Sequence, residues 1–180
     1  MGGNRLESLR LPPEATATLR EVRERMRALA HGSSRNSLTG IPLESGVSVL
    51  VSGATEAERL AVAEALASDL SRDVLRIDLA AIVSKYVGET GKNLDRVFDM
   101  AEKAGGVLLF DEADALFGSR TDVKDSHDRY GNLDVGYLLQ RIESYQGLVI
   151  LATNMNTDTE APYVDRFRYV VRLPLPGGDQ

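Results

Sequence analysis

The sequence predicts a three-layer α/β domain built on a five-stranded, mainly parallel sheet. Short apolar runs recur at 47–52, 74–78, 107–111, 148–153 and 169–173. Each has the length and the Val/Ile/Leu content of a buried strand. Between them lie segments with apolar residues at helical spacing, and strands that alternate with helices need crossover connections and therefore parallel pairing. At 180 residues and 43% hydrophobic content, the chain can bury one core of this size.

Taken in order, residues 1–13 carry no clear period and end in Pro12-Pro13, after which Leu19, Val22, Met26 and Leu29 recur on a charged background. That spacing predicts an amphipathic helix over 14–30, either packed on the core or offered to a partner. His31 to Gly46 is rich in Gly, Ser, Asn and Thr and reads as a loop into the first strand. Beyond that strand, Leu60, Ala63, Leu66 and Leu70 mark the sheet-facing side of a helix. Leu94, Val97, Phe98 and Ala101 mark another, and Leu133, Tyr137 and Ile142 lie near one face of a third. The organisation that follows is a helix and loop over 1–46, an α/β core over 47–176 and a tail over 177–180. No internal repeat or low-complexity tract interrupts it.

Composition excludes several functions. The net charge is −6 with Lys and Arg scattered, which argues against a large nucleic-acid footprint. Zero Cys rules out disulfides and thiolate metal sites, and two His are too few for a histidine cluster. Asp125, His127 and Asp128 match no ligand spacing and read as a charged, solvated loop. The N-terminus lacks a signal-peptide core and the longest apolar runs are strand-sized, so a soluble, cytoplasmic protein with no membrane partner is expected.

The segment after the first strand, Gly53-Ala54-Thr55-Glu56-Ala57-Glu58-Arg59-Leu60, stands where a phosphate-binding loop would read G-x-x-x-x-G-K-[ST]. Only the first glycine is kept. In a working loop the second glycine lets backbone N–H groups close around phosphate, the lysine reaches the β and γ phosphates, and the hydroxyl binds Mg²⁺. Glu58, Arg59 and Leu60 hold those positions here. Arg59 keeps the positive charge with a larger, planar head, Leu60 cannot ligate a metal, and Glu56 and Glu58 repel a polyanion. The same residues also fit a capping box, with Thr55 and Glu58 satisfying each other's backbone. A self-capped helix start is the favoured reading, a ligand loop the alternative.

The apolar run Val107-Leu108-Leu109-Phe110 leads into Asp111-Glu112, presenting carboxylates at a strand's C-terminal end, where α/β folds bind ligands. A solvated helix start would look the same. Upstream stand Ser84-Lys85-Tyr86-Val87-Gly88-Glu89, Asn93-Leu94 and Val97-Phe98, and downstream Ile150-Leu151-Ala152-Thr153-Asn154. In this order they resemble the large subdomain of the AAA ATPases, which implies a P-loop NTPase fold over 47–176. The stretch Lys124 to Tyr130 and the Leu-Pro-Pro at 11–13 look most similar to the AAA ATPases that accompany contractile injection systems.

By this resemblance Asp111 would be the Walker B residue that holds the metal, Glu112 the carboxylate that polarises water and Asn154 the sensor that orients it. Gly53, Arg59 and Asp111 would face the cofactor, ATP with Mg²⁺. Tyr86 would sit on a pore loop that grips polypeptide, the lesser alternative from the residues alone being a tyrosine buried in a tight turn. Where the family carries a pair of arginines that reach a neighbouring subunit, this chain has Asp165-Arg166, so Arg166 would serve alone; Arg120 faces a neighbour or solvent. The sequence ends at Gln180 without the helical lid that the family adds.

Two modules thus depart from the family pattern while the Asp111 strand and Asn154 match it. The resulting expectation is a degenerate AAA domain with weak or absent ATP binding and hydrolysis, acting as a subunit or regulator beside other AAA subunits, in a homo- or hetero-oligomer handling protein substrates. The alternative is a working ATPase in which Arg59 replaces the lysine. A purely structural protein that never meets nucleotide is a third class.

Overall fold

A computed structural model describes residues 5–30, 46–79, 90–111, 113, 136–154 and 164–174. Its five strands are β1 (Val47–Ser52), β2 (Val74–Asp78), β3 (Val107–Asp111), β4 (Leu148–Thr153) and β5 (Tyr169–Arg172). All pairings are parallel and the order is β2-β3-β4-β1-β5. The expected fold class is therefore present. The last strand ends one residue before the expected Leu173, although the Leu173 N–H still donates to the Ser52 carbonyl at 2.8 Å. Strands β3 and β4 lie inside the sheet and every residue in them is buried, which is why they read as unbroken apolar runs. Edge strand β2 is only partly covered.

Alternate strand residues point to opposite faces, and each face has its own helical layer. On one side Val49, Val51, Leu109 and Ile150 meet helices α1 (Pro13–Ala30) and α2 (Glu56–Asp69). On the other, Leu50, Leu108, Phe110 and Leu151 meet α3 (Thr90–Ala104) and α4 (136–144). Phe98 of α3 stands 5.5 Å from both the Phe110 and the Tyr145 ring, with the Arg141 guanidinium 4.9 Å over its face. These contacts join α4 to α3 through aromatic and cation–π packing.

Helical spacing identified most of the buried positions, although Leu29 of α1 and Val97 of α3 are only partly buried and α2 and α4 depart further. In α2, Ala63 and Leu66 are buried as expected, but Val62, Ala65 and Ala67 join them while Leu60 and Leu70 are only half-buried. The reason is a second cover: the 3-10 turn η1 (Arg5–Ser8) inserts Leu6 into the same core, so α2 is enclosed by the sheet and by the N-terminal segment. In α4 the buried residues are Leu138, Leu139 and Ile142, whereas Tyr137 is half-buried and its hydroxyl donates to the Asp95 carboxylate. Leu133 lies outside the described residues.

Helix α1 packs on the core rather than offering its apolar face to a partner: Leu19 and Val22 are fully buried and Met26 nearly so. Its attachment converges on Asp69 at the end of α2. The Asp69 carboxylate accepts from the Arg5 and Leu6 N–H groups at 2.9 and 3.4 Å and pairs with Arg23 Nη1 at 3.3 Å, while its carbonyl accepts from Arg27. A carboxylate is unfavourable at a helix C-terminus, so these donors offset the dipole as well as hold the segment. Asp69→Ala should leave the mostly buried Arg23 short of a partner and lower the unfolding free energy by about 3 kcal/mol. Urea denaturation measures this.

Candidate functional site

The site gathers at the C-terminal ends of β1, β3 and β4, where β1 and β4 are neighbours without being consecutive. In open α/β sheets ligands bind at such a switch point. The chain leaves β1 in a tight turn. Gly53 has φ +83° and a Cβ there would lie 2.1 Å from the Leu173 carbonyl oxygen, so no other residue fits. Ala54 follows with φ +59°. The Gly53 N–H donates to the Thr153 carbonyl at 3.1 Å and the Ala54 N–H to the Pro174 carbonyl at 3.0 Å.

Helix α2 then starts at Glu56 with Thr55 as its N-cap, and the capping box expected from the sequence is complete. The Glu58 N–H donates to Thr55 Oγ1 at 3.2 Å, and Glu58 Oε2 accepts from the Thr55 N–H at 2.7 Å and from its hydroxyl at 2.9 Å. Those two donors, the backbone N–H foremost, hold the Glu58 carboxyl below its ordinary pKa. The chain's own carboxylate thus occupies the first turn, where an anion would be favoured. Glu58 and Arg59 already lie inside the helix.

Arg59 turns back beneath the loop. It is 3% exposed, and its Nη1 donates to the Gly53 and Ala54 carbonyls at 3.2 and 3.0 Å. Its Nε makes no hydrogen bond and lies 3.5 Å from Asp111 Oδ1. Asp111, at the end of β3, is 1% exposed. Its other oxygen is 3.2 Å from Nη2 of Arg76, which also pairs with the Glu56 carboxylate. That hydrogen bond to Glu56 is the main reason the Arg76 pKa is raised further. Positive and negative groups alternate through the site as Glu56, Arg76, Asp111 and Arg59.

The structure therefore brings together three of the sequence-predicted residues, Gly53, Arg59 and Asp111. Arg59 meets its own loop and a carboxylate. Asn154 is exposed at the end of β4. Arg166 lies in the short turn η2 (Val164–Arg166), and its Nε donates to Glu143 of α4 at 2.8 Å. Glu112 and Tyr86 lie outside the described residues, as do Lys85, Arg120 and the 125–128 stretch. Sequence reasoning missed Arg76. Its only signal was one cation inside the apolar alternation of β2, two residues before the register that sets Asp78 beside Asp111. Next to Ala54 and Glu58 a half-open cavity of about 240 Å³ is walled by Leu9, Leu11, Pro12 and Leu173, with Arg10 on its lining. Among the described residues no group of three or more His, Cys, Asp and Glu is placed to hold a metal.

The fold is that of the P-loop NTPase class of α/β domains, and residues 49–175 match the model of the ATPase family associated with various cellular activities (AAA). The chain belongs to the AAA family. It is 35% identical over 116 residues to an uncharacterised AAA family ATPase, y4kL, of Sinorhizobium fredii, covering 63% of this chain and 34% of that protein. It is 27% identical over 172 residues to cell division protein C of Sulfolobus acidocaldarius, covering 90% and 46%. With a proteasome-activating nucleotidase of Aeropyrum pernix it shares 31% identity over 136 residues, covering 71% and 33%. The chain thus spans a third to just under half of these relatives. Among solved structures the FIGL-1 AAA domain superposes with a TM-score of 0.65 at 22% identity, covering 92% of this chain and 53% of that one, a likeness of fold. None of these names carries the narrower likeness to contractile injection systems.

Thr55→Ala should cost about 1 kcal/mol by removing the cap, read from the denaturation midpoint. The Glu58 carboxyl titrates lower in the folded chain than its unfolded value of about 4.3, so its contribution is fully present above that pH and is lost as pH falls through the folded value. Glu58→Gln should therefore lower stability at neutral pH and flatten the loss of stability below about pH 4.3. Thermal melts from pH 3 to pH 7 check the sign.

Proposed function

We propose that this domain is a subunit or regulator of an AAA assembly that handles protein substrates, and that its own nucleotide site is weak or silent. The observation that carries the second part is Asp111, a buried carboxylate with a guanidinium group against each oxygen. A magnesium ion would have to displace both cations, leaving Arg59 buried without a counter-charge. A triphosphate would have to open the first turn of α2, where Glu58 is already bound and would repel it. The residues present do not fit a magnesium nucleotide.

The partner half of the proposal draws on family membership and on the likeness to proteasome-activating nucleotidases. Arg166 supports it. The pair with Glu143 leaves the two side chains 40% and 49% exposed, and an exposed pair is worth at most about 1 kcal/mol. A phosphate-bearing neighbour could capture the arginine at little cost. Tyr86 is the residue assigned to polypeptide contact. The second reading, an ATPase using Arg59 as its phosphate cation, is favoured only by the position of that residue and requires it to leave the Gly53 and Ala54 carbonyls.

Titration with a fluorescent ATP analogue and Mg²⁺ should show no binding up to millimolar concentration. Micromolar binding lost on Arg59→Ala would overturn the silent-site reading. Introducing Glu58→Gly, Arg59→Lys and Leu60→Thr together should raise affinity measurably, because the three changes remove the capping carboxylate and restore a compact cation and a metal-binding hydroxyl. No gain would show that the pocket is closed for reasons beyond these three positions.

A further inference from the structure

The four charged groups at the sheet edge come from separate elements: Glu56 and Arg59 from α2, Arg76 from β2 and Asp111 from β3. With 1% and 3% exposure, neither Asp111 nor Arg59 can be satisfied by water. Each is therefore satisfied inside the fold, Arg59 by Asp111 and the loop carbonyls, Asp111 by Arg59 together with Arg76. Arg59 contributes more than charge: its Nη1 binds the carbonyls of Gly53 and Ala54, two consecutive residues with positive φ. Ala54 is a non-glycine residue in the left-handed region, a conformation that persists only where surrounding contacts over-determine it. The guanidinium supplies such contacts from below, while the Pro174 carbonyl supplies one from the side.

We propose that Arg59 and Arg76 are the resident cations of this edge: they fasten the 53–59 loop and the start of α2 to β2 and β3 in one arrangement that needs no bound ligand. This rests on the reading that the site holds no magnesium nucleotide, and it adds what stands in the place. The segments that a nucleotide would otherwise bridge are bridged by the chain itself. Arg59 is the buried anchor of this lock. Arg76, 40% exposed and shared with Glu56, is the weaker outer tie.

A lock of this kind is recognised by coupling. Removing one member of a buried pair strands the other, whereas replacing both by neutral groups of similar volume removes the penalty. Urea denaturation without nucleotide is compared for the wild type, Arg59→Met, Asp111→Asn, the double Arg59→Met/Asp111→Asn, and Arg76→Met. Each of the first two single variants should raise the unfolding equilibrium constant roughly 10²- to 10³-fold, and the double should lie closer to the wild type than either. Arg76→Met should change it by less than about tenfold. Amide exchange at residues 54–59 should accelerate in Arg59→Met.

Losses that simply add in the double, or an Asp111→Asn variant as stable as the wild type, overturn the lock. If a single variant does not fold, a folded double supports the lock and an unfolded double overturns it. Nucleotide binding by the wild type would instead overturn the proposed function, and the Arg59–Asp111 coupling, measured without nucleotide, would stand or fall separately.

Discussion

Burying a carboxylate is costly unless it is paired, and the C-terminal end of this sheet is organised around that constraint at Asp111. Strand β3 carries the residue to the edge at 1% exposure. Arg59 and Arg76 then approach from two different elements. The position of α2, the tight turn at Gly53 and Ala54 and the alignment of β2 beside β3 are all conditions for those two contacts. These side chains turn inward and pair with one another.

Helix α2 is consequently tied by charge at both ends. Glu56 in its first turn joins Arg76, and Asp69 at its end joins Arg23 and the N–H groups of Arg5 and Leu6. The two ends differ energetically. Glu56 agrees with the helix dipole and sits on an exposed pair, whereas Asp69 opposes the dipole and is held by several donors at once, two of them part-buried. The N-terminal segment is thereby part of the same body as the sheet, with Leu6, Leu19 and Val22 in one core with Val49 and Ile150.

Much of this was legible because local rules applied without competition. The five strands followed from apolar runs of strand length, and four of them match to the residue. The capping box followed from Thr55 and Glu58 three positions apart. Helix faces were less legible where burial had two sources: α2 is covered by η1 as well as by the sheet, so the residues beyond its single predicted stripe are buried too. Arg76 was invisible as a site residue because its partners Glu56 and Asp111 are 20 and 35 positions away, and only the strand order β2-β3 joins them.

By itself the sequence determined the fold class and the self-capping of α2. Each of these is set by residue type at short spacing. Only the tertiary structure decided where the displaced charges went: Arg59 beneath its own loop, Arg76 across to Asp111, Arg166 onto Glu143. Pairing between distant ionic groups depends on which strands become neighbours and on which side chains lose access to water. Those are properties of the packed sheet, and no local pattern encodes them.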